Sequence, residues 1–137
     1  MEIDEALTTY LLSRPGLTAL IGSRLFPDET PQSIDLRTIS AVVYFNVSDT
    51  KDHSLTGQNK IENPFYQYTV YSPTRAGARA ISNQIKTALC DYQGTLSGLT
   101  VQHIKLVNEL VSKTTSTDGL IKVNTVDLEF EVIFEKE

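Results

Sequence analysis

Val126-Asp127-Leu128-Glu129-Phe130-Glu131-Val132-Ile133-Phe134-Glu135 alternates apolar and acidic residues over most of its length. Successive side chains of a β-strand point to opposite faces. The stretch therefore predicts a strand with Val126, Leu128, Phe130, Val132 and Phe134 in a core and Asp127, Glu129, Glu131 and Glu135 on the other side. A helix would scatter both sets around its axis. The strand reads from Leu120 to Phe134. Upstream, Ile121 and Val123 carry the opposite parity, which predicts a bulge near Asn124 or Thr125. A strand with one apolar face implies an antiparallel sheet covered on that face alone.

Working outward, Asp118-Gly119 within the loop 112–119 is a hairpin turn signal, joining this strand to one around Thr100 to Leu110 that follows Gly98. Ala78, Ile81, Ile85, Ala88 and Leu89 make a helical stripe that starts at Ser72-Pro73 and stops near Asp91. Phe65 to Tyr71 and Ala41 to Val47, rich in β-branched and aromatic residues, are two further strands. Residues 48–63 between them are polar and aperiodic, a long connection. Near the N-terminus, Ile3, Leu7, Tyr10 and Leu11 define one helix; Pro15 opens a second, with Leu17, Leu20 and Ile21 before Gly22. Leu25 to Pro27 is a short extended piece, and 28–38 a loop. The expected fold is α+β: an antiparallel sheet of about four strands with helices packed on one face, in the order α-α-β-β-α-β-β.

The 137 residues suit one domain, 1–137, large enough to fold without metal or disulfide staples. Hydrophobic residues at 40% and charged residues at 21% place it among globular chains. A net charge of −5 argues against a surface that grips phosphates. A lone Cys90 cannot close an internal disulfide and favours a reducing compartment. The acidic start, Met1-Glu2-Ile3-Asp4-Glu5, has no signal-peptide character, and no apolar run is long enough to span a membrane. The expected setting is a cytoplasm.

Catalytic chemistry finds little support. Asp52-His53-Ser54 has the residue types of a triad, but triads converge in space and not in sequence. His103 has no Cys, His, Asp or Glu at a metal-ligand interval, and Cys90 has no CxxC partner and reads as a small buried hydrophobe. Gly57-Gln58-Asn59-Lys60 lacks the second glycine and the hydroxyl of a phosphate loop. No catalytic residue, metal ligand or cofactor is expected.

Two features stay open. The acidic stripe Asp127, Glu129, Glu131 and Glu135 is either the solvated side of the sheet or the wall of a channel that repels a polyanion in transit. The connection 48–63, with Asp52, His53, Leu55, Lys60 and Ile61, is either a mobile loop or a segment that orders against a neighbouring subunit.

Several phrases, in order, resemble one family over nearly the whole chain. They are Ala6-Leu7, Pro15-Gly16-Leu17, Leu20-Ile21-Gly22, Arg24-Leu25-Phe26-Pro27, Val42-Val43-Tyr44, His53-Ser54-Leu55-Thr56-Gly57, Gln67-Tyr68-Thr69-Val70-Tyr71 and Tyr92-Gln93-Gly94-Thr95-Leu96 with Gly98. The chain resembles the tail-completion, or head–tail joining, proteins of long-tailed phages, which are related to the tail terminators. Ser40-Ala41 stands where many of them carry a proline. The resemblance implies a structural, non-enzymatic phage or prophage protein. It implies a hexameric ring on the tail tube, assembled from subunits that can be monomeric beforehand, and contacts to the tube protein and to the head completion or connector protein. DNA would pass through without specific binding, and the site of action would be the head–tail junction of the virion, after synthesis in the bacterial cytoplasm. The alternative is a ferredoxin-like small-molecule or regulatory binding module.

Overall fold

A computed structural model describes residues 3–27, 39–48, 51–54, 57–96, 98–115 and 122–135. The elements are α1 (Ile3–Leu12), α2 (Pro15–Ile21), β1 (Leu25–Pro27), β2 (Ala41–Ser48), β3 (Lys51–Ser54), β4 (Gly57–Glu62), β5 (Phe65–Ser72), α3 (Arg75–Leu89), β6 (Gly94–Leu96), β7 (Leu99–Thr115) and β8 (Lys122–Glu135).

The alternating stretch lies in β8, and every other strand is placed relative to it. On one side β8 pairs antiparallel with β5 from Asn124 to Glu131, then with β4 at Phe134 and Glu135. On the other side β7 runs antiparallel along it from Thr100 to Thr115. β2 and then β1 extend the sheet beyond β5, β3 lies outside β4, and β6 pairs with the start of β7. Val126, Leu128, Phe130, Val132 and Phe134 are all buried, beside Tyr66, Tyr68 and Val70 of β5 and Val42 and Tyr44 of β2.

Helix α3 covers β5, β7 and β8, while α1 and α2 pack on one another, α2 on α3 and α1 on β6. The α3 stripe Ala78, Ile81, Ile85, Ala88 and Leu89 is buried as its spacing predicts. The cap sits two residues beyond the expected Ser72: Thr74 Oγ1 accepts from the Gly77 amide at 3.0 Å, satisfying one of the amides that a helix start leaves free. Pro15 opens α2 as expected, and Gly22, at φ 60°, ends it in a conformation that favours glycine.

The sheet departs from the expected one. In place of about four antiparallel strands with helices packed on one face, the described residues build an eight-stranded mixed sheet curled into a half-barrel, with three helices. Leu25–Pro27 is a strand that runs parallel to β2, Leu25 opposite Val42. Gly94–Leu96 adds β6, and β7 runs on to Thr115 where a loop is expected from residue 112. The connection 48–63 is largely β3 and β4, which pair with each other and prolong the β2–β5 hairpin. These additions share a cause. They are short or polar and owe their pairing to backbone hydrogen bonds, which leave no apolar alternation to read. The Asp118-Gly119 turn lies outside the described residues.

The bulge expected near Asn124 and Thr125 is also absent, because the β5–β8 register runs unbroken from Ser72–Asn124 to Phe65–Glu131. Val123 and Thr125 have the opposite parity because the second face of the sheet is buried there too. The irregularities fall in β7 instead, between Val101 and His103 and between Leu106 and Asn108, where they bend a long strand.

Tyr68 is fully buried, with its ring 5.8 Å from that of Tyr44 and 6.0 Å from that of Phe130. Its hydroxyl has no hydrogen-bond partner among the described residues. Burial, and then the neighbouring Tyr44, Tyr66 and Asp4, push its pKa far above the usual tyrosine range. The folded state therefore keeps Tyr68 neutral, whereas the unfolded chain ionises it near its ordinary value of about 10. Its ionisation therefore costs no stability below that pH, and the fold loses stability as pH rises above it. Tyr68→Phe should raise stability at neutral pH by roughly 1 kcal/mol, or about 4 °C in Tm. It should also soften the alkaline loss. Thermal unfolding at neutral pH and above pH 10 measures both, and a lowered neutral Tm would contradict the assignment.

Candidate functional site

The second face of the sheet, facing away from the core, collects the acidic residues. Side chains on neighbouring strands at paired positions share a face, so β5 and β7 give each carboxylate of β8 its flanks. Asp127 lies between Thr69 and Leu110, Glu129 between Gln67 and Asn108, and Glu131 between Phe65 and Lys105. Asp127 is held in place, because Thr69 Oγ1 donates to its Oδ1 at 2.8 Å and Gln67 Nε2 donates to the same atom at 3.3 Å. Gln67 Nε2 also reaches Thr69 Oγ1 at 3.1 Å, closing a three-residue network. Burial and the nearby Asp127 raise the pKa of Tyr71, which is next along this face of β5. Asp127, Glu129 and Glu131 are partly buried, and only Glu135 of the four is exposed. A fully solvated sheet side would expose all of them.

The other candidate, the segment 48–63, forms an arm. His53 pairs with Gln58 and Ser54 with Gly57 near its tip, and Lys51 pairs with Glu62 at its base. Ile61 and Glu62 of β4 pair with Glu135 and Phe134 of β8. The fold thus roots the arm at the Glu135 end of the acidic stripe, although the two are far apart in sequence. Of the residues singled out on this segment, Asp52, His53, Lys60 and Ile61 are placed on strands by their backbone, and Leu55 lies outside the described residues.

Elsewhere the titratable groups are scattered. His103 Nε2 lies 3.4 Å from Asp91 Oδ1 at the end of α3, where Asp91 has a φ of 60°. The neighbouring Cys90 is a free, half-buried thiol, not the fully buried one expected. Burial and the Asp91 carboxylate raise its pKa, disfavouring the reactive thiolate. Among the described residues no three His, Cys, Asp or Glu side chains are grouped to hold a metal ion, and no helix is long and apolar enough to cross a membrane.

The sequence reading missed a groove of about 750 Å³ between α3 and the β7–β8 pair, with Arg75, Arg79, Lys113 and Val111 among its lining. Its available signal was Arg75 and Arg79, four apart on one helix face in an otherwise acidic chain.

Thr69→Val should cost about 1 kcal/mol by removing a donor from Asp127. Glu129→Gln, which touches no such network, should change stability by less than about 0.5 kcal/mol. Urea unfolding of the two variants distinguishes a built polar network from a merely acidic surface.

Comparison with known proteins adds what geometry does not. A chain in the virion of a native gene transfer agent (GTA) particle superposes with a TM-score of 0.72 at 17% identity, over 97% of this chain and 94% of that one. A second solved chain superposes with a TM-score of 0.50 at 15% identity, over 98% of this chain and 93% of that one. Likeness at these identities is one of fold. No curated protein matches the chain. The model of one family, described as tail completion protein gp17, matches residues 5–135. The resemblance noted in the sequence is thus a membership: this chain belongs to the tail completion protein gp17 family, and its role is the structural completion of a phage tail.

Proposed function

We propose that the protein completes the tail as a ring of copies seated on the tail tube, and that this ring joins the tube to the head. Each copy meets its neighbours, the tube protein and a head completion or connector protein, and the assembly sits at the head–tail junction of the virion after synthesis in the host cytoplasm. It carries out no bond-making chemistry. Six copies is the number that the family resemblance implies.

The observation that carries this reading is the β3–β4 arm. Among the described residues its pairing to the rest of the sheet is Ile61 and Glu62 against β8. A two-stranded hairpin is marginally stable by itself in water, so a neighbour that covers the arm would supply the missing contacts. Asp52, His53, Leu55, Lys60 and Ile61 would then meet an adjoining subunit or partner. Heterologous contacts of this kind close into a ring when the rotation between copies divides a circle.

The acidic face has a place in the same reading. If Asp127, Glu129, Glu131 and Glu135 line the ring's channel, their charge repels the phosphate backbone and lets DNA pass without adhering. The small-molecule alternative loses support, because an eight-stranded mixed sheet is not the ferredoxin-like order it required.

Electron microscopy of the protein mixed with tail tubes should show rings at one tube end. Deleting the gene should give tails of abnormal length that fail to join heads; normal, head-bearing tails would end the proposal. Replacing residues 51–62 by a short turn should leave a folded protein that no longer forms rings. Asp127→Lys combined with Glu129→Lys should leave ring assembly intact and lower DNA delivery by at least about tenfold, read as infectious titre per assembled particle.

A further inference from the structure

The groove between α3 and the β7–β8 pair belongs neither to the acidic face nor to the arm. Ala78 and Val126 are buried in its floor, and Val111 stands 62% exposed in its wall. Lys86 is already answered, with Nζ 3.0 Å from Glu109 Oε1 across the groove. Arg75, Arg79 and Lys113 are exposed and have no ion-pair partner among the described residues. Three unanswered cations around one apolar floor stand out in a chain whose net charge is −5.

We propose that a second copy of this chain docks the acidic end of its β8, at the exposed Glu135, in this groove. The inference rests on the ring reading and names one of the surfaces through which the ring closes. Charge complementarity selects the occupant, since a net charge of −5 with these cations set apart leaves the remaining surface strongly acidic. The arrangement is also polar along the molecule. The groove borders Asn124 to Val126 near the start of β8, whereas the exposed Glu135 ends the same strand, about 30 to 36 Å further along it at about 3.3 Å per residue. Glu135 at that end of the strand does not reach the cations of its own groove. Between copies the two give a head-to-tail contact, with Val111 as an apolar anchor.

Nucleic acid suits the groove less well. Among the described residues no aromatic side chain lines it to stack on a base, and the acidic remainder of the chain repels phosphates. A contact made by partly solvated charges weakens as the screening length falls with added salt.

The test combines Arg75→Glu, Arg79→Glu and Lys113→Glu, all at exposed positions, and first confirms an unchanged melting curve. Wild-type and variant proteins are then titrated onto purified tail tubes, and rings are counted by electron microscopy at low and high salt. The expected result is that the variant needs at least about tenfold more protein to form rings, and that wild-type ring formation weakens with salt. Variant rings at wild-type concentrations would overturn the groove as a subunit contact while leaving the ring reading intact. The same holds if variant rings form normally but no longer join heads or bind a DNA duplex that wild-type rings retain, since the groove's occupant would then be the head-side partner or DNA. A wild-type protein that forms no rings would overturn the ring reading, and this inference with it.

Discussion

β8 has hydrogen-bonded neighbours on both sides, and its side-chain alternation cannot slip. Moving its register by one residue would turn Val126, Leu128, Phe130, Val132 and Phe134 out of the core and drive carboxylates into it. Burying unpaired carboxylates costs far more than any gain from re-pairing the backbone, so the register is held from both faces at once. β5, β4 and β7 then take their places along β8, and α3 lies over the apolar side that results. The positions of the acidic face, the arm and the groove all follow from that strand.

The two faces of the sheet are stabilised differently. Among the described residues the side that faces α3 is an apolar core reaching from Ile3 to Phe134, with polar atoms in it such as the Tyr68 hydroxyl and the buried Ser82 of α3. The second side is a polar surface with local order: Thr69 and Gln67 hold Asp127, and Lys105 lies opposite Glu131. Such a surface keeps its charge in a defined place without burying it fully.

The molecule also leaves contacts unmet. Leu110 and Val111 are more than half exposed on β7, beyond the part of that strand that β6 covers. Among the described residues the arm is paired to the body at two positions, and Arg75, Arg79 and Lys113 of the groove have no ion-pair partner. An uncovered strand edge with apolar side chains invites pairing, and folded monomers commonly guard against it. A protein whose work is to assemble has reason to keep such surfaces open.

The amino-acid sequence alone determined the strong elements: β8 from its alternation, α3 from its stripe, α2 from Pro15 and Gly22, and β2 and β5 from their β-branched and aromatic runs. The order of phrases along it also identified the family. Each of these is a local signal, because burial imposes period 2 or period 3.6 on consecutive residues. The acidic stripe was legible for the same reason. Only the tertiary structure decided that Leu25–Pro27 runs parallel to β2, that Lys51–Ser54 and Gly57–Glu62 form an arm, and that this arm is rooted beside Glu135. It alone brought Arg75 and Arg79 across from Lys113. Those outcomes depend on backbone pairing between polar segments and on distances between residues remote along the chain, and neither leaves a periodic mark on the sequence.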